Sequence, residues 1–531
     1  MQIVKKIPII DLFAGPGGLG EGFSSVYKNN RSVFDIKVSI EKDENAHKTL
    51  ELRAFVRQFE KNELPIEYYD ILKETNLSKR ETLRNALYKK YPKQSNQSKK
   101  EAWLCELGNP KFPNEVIDSR IKNELNGERN WLLIGGPPCQ AYSMAGRSRV
   151  GGIDEEDHRV FLYKEYLRII AMHHPAVFVM ENVKGLLSAK VNGKMMFDCI
   201  KNDLRDPSTV FSGVDSPKYK VYSLSTNYKS FDKEGQPNYS DNREYLIKSE
   251  EYGIPQKRHR VILIGVRDDI NIVPSILEKA KGEITVQNVI GDLPILRSGI
   301  SKSISDDAIS KYSKETDSSE NWNKILVNYL KEITTWNGFK KDVINPPKFK
   351  SNKTIGGEFI PFNTPSFENP LKSWYEDKNL GGVCNHESRA HLKQDLMRYL
   401  FSSLYAETYN RFPRLEDFKK HSDLLMPNHK NAESGKFTDR FRTQLKGTAA
   451  TTVTSHISKD GHYFIHYDPE QCRSLTVREA ARIQTFPDNY LFCGPRTSQF
   501  HQVGNAVPPF LAKQIAEIVN KIFMKNEPYD Y

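Results

Sequence analysis

Ile7-Pro-Ile-Ile-Asp-Leu-Phe13, running directly into Ala14-Gly-Pro-Gly-Gly-Leu-Gly-Glu-Gly-Phe23, is the stretch that decides the fold of this chain. The first half reads as a buried strand and the second as a glycine turn opening a helix. Gly15, Gly17 and Gly20 satisfy G-x-G-x-x-G. Glycine lets backbone approach a ligand closely, and a helix amino terminus favours an anionic group there. NAD, FAD and S-adenosylmethionine proteins all place a strand, glycine turn and helix in this way, so the turn by itself leaves the cofactor open.

Outward from the turn, Ile36 to Ile40 reads as a second strand ending in Glu41. It lies about twenty residues after the last turn glycine, where an acidic side chain accepts both ribose hydroxyls of an adenosine. A third apolar-aromatic run, Ile66 to Tyr69, is expected to be a strand ending in Asp70. Two acids at successive strand ends beside a glycine turn point to an adenosine-containing cofactor. Residues 71–130 read as an insert. Lysine and arginine crowd its segment 78–100, with Leu83, Leu87 and Tyr91 at helical spacing. This predicts an exposed amphipathic helix and a polar turn, either a solvated charged face or an auxiliary phosphate contact.

The apolar run Trp131 to Ile134 leads into Gly135-Gly-Pro-Pro-Cys139-Gln140. Two glycines and two prolines force the backbone out of regular structure and present Cys139 on a stiff loop at a strand end. A thiol there is a candidate nucleophile, or else a buried structural cysteine. The loop from Ala141 to Gly152 is rich in small residues and arginine and is suited to closing over a substrate. Pro175 to Met180 reads as the next buried strand, placing Glu181 at the same sheet edge as Cys139, where a general acid is the economical role. Tyr252 to Arg260 leads into the last strand, Val261 to Val266, and Arg258 and Arg260, two apart on extended chain, are expected to point to one side.

From residue 295 to residue 470 the Val/Ile runs thin out and prolines interrupt any long helix, as in a separate inserted domain. Its later part, Phe437 to Ser455, carries Arg440, Arg442 and many hydroxyls, a composition suited to phosphate contact and groove readout, or to an ordinary Thr-rich strand pair. His456, His462, His466 and Cys472 are too irregularly spaced for a zinc site, so no metal is expected. Leu475 to Gln484 is predicted as a helix with Thr476 as cap and Glu479 completing a capping box. A turn at Gln502 to Pro509 precedes a final apolar-periodic helix.

The 531 residues exceed one compact core. A formal net charge of +11 favours a polyanionic partner. Six scattered cysteines without a CxxC pair indicate neither a disulfide framework nor a zinc ribbon. No stretch approaches the ~20 apolar residues of a membrane span. A soluble, cytoplasmic protein is expected, with no membrane partner.

The ordered set of the DLFAGPGG turn, GGPPCQ, ENV, QKRHR, RSLTVREAARIQTFPD and QVGNAVPP resembles the DNA (cytosine-5)-methyltransferases of bacterial restriction-modification systems. The resemblance implies an α/β fold: a mixed, Rossmann-like sheet binding S-adenosylmethionine, with an inserted, smaller target-recognition domain. Residues 1–294 would form the catalytic domain, 295–470 the recognition domain, and 471–531 a hinge helix and the return to the catalytic domain. Phe13, Gly15, Gly17, Glu41, Asp70, Pro138 and Asn505 would line the cofactor site. Cys139 would be the nucleophile, with Glu181, Arg258 and Arg260 holding the cytosine. Gln140, Ser143, Arg147, Arg159, Arg440 and Arg442 would touch duplex DNA. A monomer is implied, with a cognate restriction endonuclease acting separately. Two departures stand out: Lys42 follows Glu41 where relatives often stack an apolar ring on adenine, and Asp157-His158-Arg159-Val160 lacks the family's glycine.

The chemistry accounts for the residue types. Cytosine C5 becomes nucleophilic only after a thiolate adds at C6. The addition pushes electron density to N3, where a carboxylic acid at Glu181 can protonate or hydrogen-bond the ring. The base must leave the duplex for this geometry to exist. Competing readings are a tRNA cytosine-5 methyltransferase, whose relatives have a much smaller recognition region, a non-catalytic binding module on the same fold, and an NAD-dependent oxidoreductase that would leave Cys139 unexplained.

Overall fold

The computed structural model describes residues 6–60, 63–138, 158–191, 193–211, 213–301, 317–336, 339, 343, 346–350, 352–363, 367–427 and 439–526. Strand β1 (Ile7–Leu12), buried apart from Ile7, is central to an eight-stranded sheet. The chain leaves it through Phe13, whose φ of 57° lies in the left-handed region that non-glycine residues rarely adopt. Gly15 (φ 58°) and Gly17 (φ 95°) complete the turn into α1 (Gly18–Ser24). Strand β2 (Phe34–Glu41) pairs parallel to β1. It is followed by α2 (Glu44–Val56), capped by the Asp43 carboxylate accepting from the amides of Asn45 and Ala46.

The next segment departs from expectation. Ile66 to Tyr69 is not a strand: it opens α3 (Ile66–Lys73), which buries Tyr68, Tyr69, Ile71 and Leu72 and leaves Asp70 exposed. Two more helices follow, α4 (Leu77–Lys90) and α5 (Pro92–Glu101), the latter with proline at its first position. Only then comes the third parallel strand, β3 (Ala102–Leu104), beside β2. The helical insert therefore occupies residues 66–101 rather than 71–130, and α6 (Asn114–Leu125) is the crossover from β3 to β4 (Leu132–Gly135).

Strand β4 pairs parallel to β1 on its other side. After α7 (His158–His173), β5 (Val177–Val183) pairs parallel to β4. Helix α8 (Met196–Arg205) leads to β6 (Tyr219–Ser223) and β7 (Leu246–Lys248), and both pair antiparallel to β8 (His259–Arg267), itself antiparallel to β5. The order is β6-β8-β5-β4-β1-β2-β3, with β7 also on β8. The sheet is mixed, as expected. Its order reverses between β1 and β4, and ligands of such sheets bind in the crevice outside the strand ends at that switch point.

Beyond the sheet, α9 (Ser319–Ile333), the hairpin of β9 (Gly356–Pro361) and β10 (Gly382–Glu387), and α10 (Lys393–Tyr409) precede α11 (Val477–Ile483) and α12 (Arg496–Asn505). A core of Trp322, Leu326, Leu400, Phe401 and Phe418 holds α9 and α10 together. The last helix, α13 (Pro509–Asn526), returns to the sheet and packs on α1. Its approach requires glycine: a Cβ at Gly22 would sit 2.4 Å from both Ala512 Cβ and the Pro509 carbonyl oxygen. Leu19, Phe23, Ile515 and Val519 thus cover one sheet face, while Ile121, Tyr166, Ile170 and Phe197 cover the other.

Around α11 the chain is pinned by buried charge. Thr476 and Glu479 form the predicted capping box. Both Glu479 oxygens also lie 2.7 Å from Arg473 guanidinium nitrogens. Burial pushes the Glu479 carboxyl up, but Arg473 outweighs it and holds the group well below the usual carboxylate range. Arg482 bridges Asp488 and Asp292, and Arg478 donates to the carbonyls of Cys384, Pro487 and Tyr490. Among the described residues no helix is long and apolar enough to cross a membrane.

Candidate active site

Two glycine-bearing loops face each other across the switch point. On the β1 side, Tyr490 donates to the Pro16 carbonyl, and a Cβ on Gly18 would lie 2.3 Å from the Val507 carbonyl oxygen. The turn is thus clamped by residues almost five hundred positions away, which sustains the left-handed Phe13. A Cβ at Gly15 would meet nothing within 4 Å, so the turn opens onto free space there.

Glu41 closes the mouth of that space. Its Oε2 accepts from the Gly15 amide at 2.8 Å, and its Oε1 accepts from the amides of Asp43 at 2.7 Å and Lys42 at 2.9 Å. Burial raises its pKa, and these amide bonds oppose the rise. A carboxylate fixed at a glycine turn has lone pairs left for a vicinal diol. The Lys42 ammonium lies 2.9 Å from Glu106.

Asp70 does not take part. It is exposed on α3, a helix packed against α4 and the β9–β10 hairpin. Glu106, two residues past β3, is the acid at the third strand end. Sequence reading missed it because β3 is only three residues long, with a helical insert before it. A second missed residue is Asp11, fully buried in β1 with no hydrogen-bond partner on either carboxylate oxygen among the described residues. Burial pushes its pKa well up. The hydroxyl of Ser39, its register partner on β2, is likewise buried without a hydrogen-bond partner among the described residues.

On the β4 side, close approach explains the glycine pair. A Cβ at Gly135 would lie 2.6 Å from the Leu12 carbonyl oxygen, and one at Gly136 would lie 3.1 Å from Glu181 Oε2. Pro138 is the last described residue of this loop. Cys139, Gln140, Ser143 and Arg147 lie outside the described residues, as does the side chain of Arg159. Glu181, on β5, is therefore overhung by the backbone that leads into Cys139.

Glu181 is met from β8. Arg260 Nε lies 2.8 Å from Glu181 Oε1, and the side chains are only 15% and 13% exposed. Burial lowers the Arg260 pKa, and Glu181 counteracts it. Arg258, expected to share this face, is turned away from the acid. Its guanidinium is fully buried and donates to the carbonyls of Val453 at 2.7 Å and Gly504 at 3.2 Å. Gln256 joins the same seam, accepting from the Val453 amide and donating to the Ile483 carbonyl. Arg258 is thus a tie between β8, the 450–455 segment and the end of α12, rather than a group that grips a ring beside Glu181.

Asn505 ends α12, exposed, with its amide near the His501 ring; the next two residues pack over Gly18. The two arginines of the 437–455 stretch are both engaged within the protein. Arg442 pairs with Asp439 and lies over the rings of Phe412 and Tyr463. Arg440 Nη2 lies 3.4 Å from Asp460.

The family model for C-5 cytosine-specific DNA methylases matches residues 93–207 and 216–521. The chain is 31% identical over 533 aligned residues to the type II methyltransferase M.Bpa9945I of Bacillus paralicheniformis, covering 97% of this chain and 98% of that one. It is 25% identical to the DNA (cytosine-5-)-methyltransferase M.ApeKI of Aeropyrum pernix over 75% of this chain and 82% of that one. Its fold is similar to the crystal structure of a putative DNA modification methyltransferase encoded within a prophage (E. coli), with a TM-score of 0.52 and 20% identity over 98% of this chain and 100% of the other.

Proposed function

From a chain that belongs to the C-5 cytosine-specific DNA methylases, and so is a DNA cytosine-5 methyltransferase, we propose a residue-level account of the reaction. The observation that carries it is the Glu181–Arg260 pair, roofed by Gly136 at the switch point of the sheet. S-adenosylmethionine supplies an electrophilic methyl group on a sulfonium. Phe13, Gly15, Gly17, Pro138 and Asn505 form its cradle, and Glu41 accepts from the ribose hydroxyls. The open space above Gly15 and the carboxylate at its mouth fit such a group.

The target cytosine, flipped from the duplex, enters between the two loops. Cys139, as the thiolate, adds to C6. Glu181, as a carboxylic acid, gives a proton to N3 as electron density arrives there, and Arg260 donates to O2 while orienting Glu181. C5 would then take the methyl group as its bond to sulfur breaks, leaving S-adenosylhomocysteine; a base, such as water, removes the C5 proton, the thiolate leaves C6, and the N3 proton returns to Glu181, which restores aromaticity. Neither half of this chemistry calls for a metal ion. Arg258 holds the start of β8, the strand that carries Arg260, against residues 450–455 and α12.

Residues 1–294 act as the catalytic domain, with the insert now set at 66–101, 295–470 as the recognition domain, and 471–531 as the hinge and return. Relatives named as type II methyltransferases support a place in a restriction-modification system. In that system the chain works as a monomer in the cytoplasm, at the nucleoid, and a separate endonuclease cuts unmodified DNA. Tritiated S-adenosylmethionine offered with duplex DNA and with tRNA tests the substrate class: label recovered as 5-methyldeoxycytidine supports the account, and label in tRNA alone contradicts it.

A further inference from the structure

Tyr490 is fully buried between the glycine turn and the segment that returns to the sheet. Its hydroxyl donates to the Pro16 carbonyl, and a Cβ on Gly17 would lie 3.0 Å from the same hydroxyl, so the turn is seated directly on the phenol. Helix α1 starts its own ladder one residue later, where the Gly17 carbonyl accepts from the Glu21 amide at 2.8 Å. The Pro16–Gly17 peptide is therefore pinned at both ends: its N–H donates to the Ala14 carbonyl at 2.9 Å, and its oxygen accepts from Tyr490. Phe13, Gly15 and Gly17 have φ of 57°, 58° and 95°, and a left-handed run of this kind persists only where its surroundings hold it.

The phenol is itself fixed without help from the turn. The Arg53 guanidinium of α2 lies 4.8 Å from the Tyr490 ring centre while donating to Glu21 at 2.7 Å and, through Nη1, to Asn489 Oδ1 at 3.1 Å. Arg478 donates to the Tyr490 carbonyl at 2.7 Å. Across the loop, the Asn489 side chain donates to Asp377 at 2.8 Å, and the Asn489 carbonyl accepts from the Tyr68 hydroxyl at 2.8 Å. The Phe486 and Phe492 rings pack against Tyr490 with centroids 4.8 Å and 5.4 Å away. A ring held by this much stacking keeps its place without the hydroxyl, so removing the oxygen takes away the bond to the turn and leaves the packing.

We propose that Tyr490 is a positioning residue for S-adenosylmethionine: its hydroxyl, acting through the Pro16 carbonyl, keeps the 13–17 turn in the shape that receives the cofactor. The inference rests on the reading of that turn as the cofactor cradle and adds a residue of the returning segment that acts through it. The test compares Tyr490→Phe with Tyr68→Phe, which removes a hydroxyl bond of the same kind from residue 489 without touching the turn. In Tyr490→Phe, calorimetry should show S-adenosylmethionine bound about tenfold more weakly, and the KM for the cofactor should rise by a similar factor. Its kcat at saturating cofactor should stay within about twofold of wild type. Tyr68→Phe should lose comparable thermal stability yet bind the cofactor as wild type does. Unchanged affinity in Tyr490→Phe overturns the inference. So does a lower kcat at unchanged KM, or an equal loss of affinity in both variants, the mark of general loosening. Glu41→Ala, at the other end of the turn, separates the two readings. If it and Tyr490→Phe both bind as wild type does, the cradle itself is misplaced; if Glu41→Ala alone binds weakly, the cradle stands and Tyr490 has no part in it.

Discussion

Arg260 reaches across from β8 to place its Nε 2.8 Å from Glu181 Oε1 on the antiparallel neighbour β5. In the proposed mechanism this orients the acid that faces the flipped base and places beside it a group that can donate to the same base. The pair is nearly buried, so neither partner is spare surface charge.

Glu181→Gln keeps the shape and removes the acid. The turnover number for DNA methylation should fall by about a hundredfold or more. S-adenosylmethionine affinity, measured by titration calorimetry, should stay within a few fold. Unchanged turnover with weakened cofactor binding would reassign Glu181 to the cofactor.

Glu41→Ala should produce the opposite split. It removes the acceptor that holds the Gly15 amide, and hydrogen bonds to charged groups contribute about 1.5–3 kcal/mol. Cofactor affinity should drop about tenfold to a hundredfold, with turnover at saturating cofactor changed much less. Equal binding by wild type and variant in calorimetry would remove Glu41 from the site.

Stability should fall on acidification below neutrality. Burial lowers the pKa of His386 to about 4, of His391 to about 3 and of His466 to about 4. Between about pH 6.5 and about pH 4 these rings take up protons in the unfolded chain but not in the folded one, so unfolding is favoured as pH drops. Each contributes up to about 1.4 kcal/mol per pH unit in that window. Urea unfolding at pH 7 and pH 5 should show a lower midpoint at pH 5, and His386→Asn should flatten the difference. Equal midpoints would contradict it.

The insert helices predict a contrast between core and surface. Leu72 on α3 is fully buried with Phe55 of α2 and with Leu380 and Cys384 of the 295–470 segment. Leu72→Ala should cost about 2–5 kcal/mol. Lys89→Glu on exposed α4 should change stability by about 0.5 kcal/mol or less. Thermal unfolding of both variants distinguishes a brace between α2 and the 380–384 segment from an appendage.

What the sequence disclosed and what it withheld divide by contact range. The strand, glycine turn and helix of residues 7–23, the Thr476–Glu479 capping box and the strand that carries Glu181 all follow from patterns a few residues long, although that strand runs on to Val183, two residues past the acid. Asp70 failed for the opposite reason. Tyr68 and Tyr69 look like strand residues, but Pro65 starts a helix there and Tyr68, Tyr69, Ile71 and Leu72 form its buried face. The third strand was hidden by its shortness and by the helices ahead of it. Arg258 obeys no local rule, because its acceptors lie 195 and 246 residues away. Two-residue spacing put it beside Arg260, and long-range carbonyls drew it off.

The central claim is a thiolate on Cys139 adding to C6 of a flipped cytosine. A duplex pool carrying 5-fluorocytosine tests it most directly, because fluorine at C5 blocks the elimination that frees the enzyme. With S-adenosylmethionine present, intact-mass spectrometry should show the chain plus methylated DNA as one covalent species, and peptide mapping should locate the link at Cys139. An active preparation that forms no adduct, or one joined through another residue, would contradict the account.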